Sequence, residues 1–186
     1  MIRKVFKKQE LIAELQQMVT NNINDAIQFQ EYSFEQLNKQ QAPKSWSVLQ
    51  CLEHINRYDA DYLPKIKKGL NAADQLENDQ FKSGLIGYRF ANFLHPDKNQ
   101  LKTKTFPSMN PSNSDLTLEV IDIFIRQQKE LYQLLERSKT VDISKIKIRS
   151  SITRLLSFKL GDIFRILIFH DLRHVRQAKN ALYHIS

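Results

Sequence analysis

The sequence predicts an all-α protein built on a four-helix bundle, and three observations point there. Apolar residues recur at the helical period in four long segments. Only four Gly and five Pro occur in 186 residues, too few for the many tight turns of an all-β fold. No alternation of short strands with helices, no internal repeat and no low-complexity stretch is visible. The length suits one domain, and residues 1–186 are read as such.

The first segment, from about Gln9 to Lys39, reads as one long helix, with Leu11, Leu15, Met18, Val19, Ile23, Ala26, Ile27 and Phe29 near a 3.6-residue repeat. Asn21-Asn22 weakens its middle. After Pro43, Ser47 and Gln50 form a capping box, with Trp46 just ahead of it, so a second helix starts at about Ser47. Its stripe is Val48, Leu52, Ile55, Asp59, Tyr62 and Ile66. Pro64 is expected to kink it or loosen its last turns. Phe81 to Leu94 reads as one extra short helix, although Gly84 and Gly87 count against it. His95-Pro96-Asp97 stops it, and Lys98 to Ser114 is a long loop of the kind that often borders a binding site. Ser114 or Asp115 can cap a third strong helix whose stripe runs from Leu116 to Leu135. Thr140 to Ile152, with alternating Ile143, Ile146 and Ile148, reads as a short extended segment or a loop. The last helix is expected from about Ser157 to His184.

Composition removes several function classes. No apolar run approaches the roughly 20 residues of a membrane span, and the basic N-terminus lacks the apolar core of a signal peptide, so a cytoplasmic protein is expected. The lone Cys51 excludes an internal disulfide. The net charge of +8 permits anionic partners, but the basic residues are spread along the chain. No helix-turn-helix, zinc-finger or RNA-binding signature accompanies them, so a solvated basic surface is expected rather than a nucleic-acid interface.

The chemistry concentrates near the C-terminus. His170 and His174 are four residues apart, one turn apart on a helix face, close enough to reach one metal ion. On a helical wheel both fall inside the apolar stripe of Leu160, Ile163, Leu167, Ala178, Ala181 and Ile185, with Gln177 at its edge. Inward polar rings need partners. His54 lies on the shoulder of the second helix's apolar face, in a row with Cys51 and Tyr58. Spacing alone leaves it either a third ligand or a satisfied core residue. Cys51 and Tyr58 fit packing, with a role beside the metal or in a pocket left open. His95 and His184 look peripheral. Three imidazoles with an open position suit zinc, nickel, copper or ferrous iron in a catalytic site. His170-Asp171-Leu172-Arg173-His174 also resembles the zinc-protease motif His-Glu-x-x-His. Asp171 replaces the Glu, however, and the downstream Gly and His of the longer form are Gln177 and Asn180 here. No nucleophile elbow, phosphate loop or dinucleotide motif is present.

Trp46-Ser47-Val48-Leu49-Gln50-Cys51-Leu52-Glu53-His54-Ile55 resembles the start of the second helix in the DinB-like (DinB/YfiT) superfamily. The stretch from Leu160-Gly161-Asp162 through His170-Asp171-Leu172-Arg173-His174-Val175-Arg176-Gln177 resembles its last helix. The resemblance covers most of the chain. It implies an up-down-down-up four-helix bundle, a metal site of His54, His170 and His174, a divalent ion such as zinc or nickel, and a homodimer. Some members are thiol S-transferases that use bacillithiol, and a related branch includes a mycothiol-dependent isomerase. The expected function is therefore a metal-dependent enzyme, such as an S-transferase joining a low-molecular-weight thiol to a small electrophilic substrate. A metal-dependent hydrolase and a non-enzymatic metal- or ligand-binding bundle are the alternatives. Lys98 to Ser114 and Thr140 to Ile152 depart from the family pattern, which leaves the substrate open.

Overall fold

A computed structural model describes residues 4–75, 78–98, 104–151 and 156–183. Four long helices dominate them: Lys8–Phe29 (α1), Val48–Asn71 (α3), Glu119–Ser138 (α5) and Leu160–Tyr183 (α6). Two shorter helices, Phe34–Asn38 (α2) and Leu85–Leu94 (α4), lie between them. Two small antiparallel ribbons and a 3₁₀ turn at Pro107–Met109 complete the regular elements of the described chain. Val5–Lys7 (β1) pairs with Gln80–Lys82 (β2), and Lys147–Arg149 (β3) pairs with Ser157–Lys159 (β4). The all-α expectation is met. α1 and α3 each pack against both α5 and α6, so α1 stands diagonally opposite α3.

Several boundaries differ from the sequence reading, each for a local reason. The first segment is two helices, because Ser33 and Gln36 form a second capping box that restarts the chain at Phe34. Two short helices therefore accompany the bundle where one was expected. α3 begins as read: Ser47 Oγ accepts from the Gln50 amide at 3.2 Å, and Gln50 Oε1 accepts from the Ser47 amide at 3.0 Å. It runs through Pro64 to Asn71. Pro64 and Ala60, whose carbonyl loses its helical partner, are both exposed, so water can take the bond. α5 starts at Glu119 rather than Ser114, without a side-chain cap. Phe81 is in β2 and Ser157 in β4, not in the helices that follow, because β2 pairs with a strand near the start of the chain and β4 with one just across a loop, pairings that the helical period around them does not reveal. His184 and Ile152 lie outside the described residues.

The interior divides into two apolar clusters along the bundle. One gathers Leu15, Val19, Ile66, Leu131, Leu135, Ile163 and Leu167 with Phe81 from the ribbon. The other holds Ala26, Leu49, Cys51, Leu52, Ile55, Phe124, Val175 and Ala178. Polar residues lie in the bundle as well. Gln128, fully buried on α5, donates both amide hydrogens: one to Asp59 of α3 at 3.1 Å, the other to Asp171 of α6 at 2.9 Å. Its oxygen meets Asn22 of α1 at 3.5 Å. One amide thus touches all four long helices, and the residue expected to weaken α1 is a buried partner.

At the other end, Asp162 of α6 accepts hydrogen bonds from Ser83 Oγ and the Gly84 amide, which places a carboxylate at the N-terminus of α4. Gly87 makes that approach possible. A Cβ there would lie 2.6 Å from the Asp162 carboxylate. The glycines that weakened α4 as a sequence prediction are what lets it dock. No helix among the described residues is long and apolar enough to cross a membrane.

Two stability predictions follow from these contacts. Gly87→Ala should cost about 1–3 kcal/mol through overpacking against Asp162, seen as a lower thermal midpoint. An unchanged midpoint would mean that α4 does not rest on that carboxylate. The second concerns Asp59. Burial pushes its carboxyl well above the ordinary 3.8, with Asp171 adding to the push and Gln128 opposing it. Burial raises Asp171 to about 7. The native state then holds protons that the unfolded chain has released, so the pair's contribution is full below 3.8 and is lost as pH rises toward 7 and above. Asp59→Asn should gain stability relative to wild type across that window in denaturant titrations of metal-free protein. His54, His170 and His174, whose pKa values move downward, contribute the opposite slope in both proteins and cancel in the difference. A gap that stays constant with pH would refute the assignment.

Candidate metal centre

α3 and α6 are neighbours, and their contact assembles the site. His54 lies two turns into α3; His170 and His174 lie one turn apart on α6. One ligand atom from each ring lies within 4.8 Å of the other two. His54 Nε2 and His170 Nε2 are 3.1 Å apart. Ring centroids are 4.5 Å apart for His54 and His174, and 4.6 Å for His170 and His174. Among the described residues this is the group of His, Cys, Asp or Glu side chains arranged to share an ion.

The outer nitrogens explain which atoms face inward. His54 Nδ1 lies 2.7 Å from the Met109 carbonyl oxygen. A carbonyl only accepts, so Nδ1 carries the proton and Nε2 is left with its lone pair. His174 Nδ1 lies 3.0 Å from Gln177 Oε1, which fixes the same tautomer. His170 Nδ1 faces Asp171 Oδ1 at 3.7 Å, longer than a hydrogen bond. Each ring therefore has an oxygen on its Nδ1 side, the arrangement that orients histidines toward a metal. Burial pushes the His54 imidazolium down to about 4, with Arg57 adding to that and the Met109 carbonyl opposing it. His170 and His174 also sit well below the ordinary value, chiefly through burial and secondarily through neighbouring histidines. All three rings are neutral at pH 7, the form that binds metal.

The donor set fits a divalent ion. With metal–nitrogen bonds of about 2.0–2.1 Å, two nitrogens of a tetrahedral site lie roughly 3.3 Å apart. The His54–His170 pair is already close to that, at 3.1 Å. Two neutral acceptor nitrogens at this distance repel unless a cation or proton lies between them. Three neutral imidazoles suit zinc, nickel or ferrous iron.

The surroundings sort the other candidates. Tyr58 packs edge-on against His54 and His170, with centroids 5.1 and 4.8 Å away. It lines a cavity of about 110 Å³ with Phe106, Ser108, Met109 and Ser151. Burial pushes its phenol up to about 12. Cys51 is sealed in the second apolar cluster, and its thiol is pushed far up by burial, so neither thiolate chemistry nor ligation follows from its position. His95 ends α4 and packs edge-on against Phe169, away from the triad. Trp46 covers the site from the other side, 4.8 Å from the His54 ring and 5.6 Å from His174.

Sequence reasoning missed Met109 and Arg57. The loop flagged as a candidate border does reach the site, and Met109 belongs to it, but a backbone carbonyl has no sequence signature. Arg57, three residues after His54, was legible as a neighbour and not as a partner of that loop. Asp171, weighed as a protease base, instead points one carboxylate oxygen at Gln128.

A helical bundle with three inward histidines on two adjoining helices is the class of protein that fold and site define. The DinB superfamily model matches residues 22–178, which takes in all three histidines. The chain belongs to the DinB superfamily. No curated protein and no solved structure matches it.

Trp46 is the single tryptophan of the chain, which makes it a built-in reporter. Nickel or copper added to metal-free protein should quench its fluorescence along a saturable curve, and His54→Ala should abolish the saturable phase. A response that is linear, or identical in the variant, would place the ion elsewhere.

Proposed function

We propose that His54, His170 and His174 bind one divalent ion, zinc or nickel foremost and ferrous iron next, and that the protein is a metal-dependent S-transferase joining a low-molecular-weight thiol to a small electrophile. The observation that carries the reading is the convergence of the three imidazoles, with Nδ1 of His54 and His174 already committed to oxygens. Membership of a superfamily that is often metal-binding supports it.

The bound ion would supply charge that favours the thiolate over the thiol. The thiol proton leaves to solvent, the sulfur forms a bond to the electrophilic carbon, and the displaced group departs with its electron pair. The chain's own residues do the rest. Neutral imidazoles would leave a bound ion's charge uncompensated by carboxylates and so favour strong Lewis acidity. Tyr58, with its phenol protonated at neutral pH, can donate a hydrogen bond to substrate in the small cavity beside the histidines. Ser108 and Ser151 add polar atoms to the same wall. The cavity has room for a small group only, and the net charge of +8 suits an anionic thiol.

Metal analysis of purified protein should find about one divalent ion per chain in wild type, with occupancy lost in His54→Ala and in His170→Ala. In an assay pairing several thiols with a chromogenic electrophile, Tyr58→Phe should lower kcat/KM roughly tenfold with metal content intact. Wild type without metal would end the metal reading. Metal without transfer or hydrolysis for any thiol or ester tried would leave a non-enzymatic metal-binding bundle.

A further inference from the structure

One side chain of α3 grips the loop over the site at several points. Arg57 of α3 spends every nitrogen of its guanidinium. Nε donates to Glu53 Oε1 at 2.8 Å; Nη1 donates to the Asn110 carbonyl at 2.8 Å and the Ser108 carbonyl at 3.5 Å; Nη2 donates to Ser114 Oγ at 2.6 Å. Glu53 is one turn back on the same helix, so it fixes the guanidinium plane from below. The two carbonyls that Arg57 grips belong to the residues on either side of Met109. The Met109 carbonyl is the oxygen that His54 Nδ1–H reaches at 2.7 Å. Arg57 and His54 stand three residues apart on one helix, so the loop is gripped and read from the same rigid face.

We infer that Arg57 is a positioning residue for the metal centre: by clamping Ser108 and Asn110 it presents the Met109 carbonyl to His54, fixing the tautomer and ring orientation that leave Nε2 facing His170 and His174. The assignment rests on the metal reading for its consequence, but the tautomer it fixes exists without metal. The rigid fork of a guanidinium is what the geometry uses. An ammonium on a flexible stem offers one point and cannot span both carbonyls and Ser114. The loop has a second anchor in Trp46 Nε1, which donates to Ser112 Oγ at 3.3 Å, and Ser112 in turn donates to Asn110 Oδ1 at 2.7 Å. With that anchor left in place, removal of Arg57 is expected to loosen the carbonyl rather than the fold. Ser108 and Met109 also line the cavity beside Tyr58, so the same clamp shapes the substrate wall.

The test compares wild type, Arg57→Ala, Arg57→Lys and His54→Ala by zinc titration calorimetry, imidazole ¹⁵N NMR of the metal-free proteins, and thermal unfolding. Arg57→Ala should weaken zinc binding roughly 10- to 100-fold and shift His54 from a single Nδ1–H form to a mixture of tautomers. Arg57→Lys should recover only part of the affinity. Thermal midpoints of the metal-free Arg57 variants should stay near wild type. If Arg57→Ala fails to fold, Arg57→Lys and Ser114→Ala, which removes one leg of the clamp, carry the same two readouts. Unchanged zinc affinity together with an unchanged His54 tautomer overturns the inference while leaving the metal reading intact. Wild type that binds no zinc overturns the metal reading, and the NMR of the metal-free proteins still decides whether Arg57 sets the tautomer.

Discussion

The bundle depends on one buried amide. Gln128 places its two N–H groups between the carboxyls of Asp59 and Asp171 and turns its oxygen toward Asn22, so α1, α3, α5 and α6 meet at a single side chain. Buried polar groups are costly unless paired, and a pairing of this kind tolerates one register only. Sliding α6 by a turn against α3 would take one of the two carboxyls away from Gln128 and strand it in the core. That register is also what places His170 opposite His54. Apolar packing alone is non-directional and would accept more than one alignment of these helices. The polar seam removes the alternatives.

The histidine cluster sits beside this seam, and the two share a helix face. Asp171 gives one oxygen to Gln128 and lies beside the His170 ring with the other. The site is thus built as two layers. The rings converge toward an ion, and oxygens from a loop carbonyl, a glutamine and an aspartate stand behind them. Burial supplies the third ingredient, because it keeps the rings neutral where exposed histidines would be partly protonated in mildly acidic solution. The described part of the connection before α5 adds the roof, and Arg57 of α3 and Trp46, just ahead of that helix, both tie it down.

Much of this was legible in the residues. The Ser47–Gln50 capping box located the start of α3 because both of its bonds are local. The i, i+4 spacing of His170 and His174 placed two rings on one inward face for the same reason. The split after Phe29 was legible too, since Ser33 and Gln36 form a box of the same kind, but the apolar period running past it masked the signal. What could not be read depends on pairing across distance. Phe81 and Ser157 belong to ribbons whose partner strands lie far away or across a loop, so their local patterns resemble helix starts. Gly87 looked like a helix breaker until Asp162 filled the space its missing Cβ leaves.

By itself the sequence determined the all-α class, the long helices, the inward histidine pair and the family likeness, since periodicity, caps and motif spacing are properties of neighbouring residues. Tertiary structure alone decided that His54 reaches that pair, that Cys51 is sealed away from it, and that a loop carbonyl stands behind His54. Those outcomes turn on which faces of α3 and α6 meet. The choice is made by Gln128 reaching both Asp59 and Asp171 in the core, a meeting of three distant residues that no local pattern encodes.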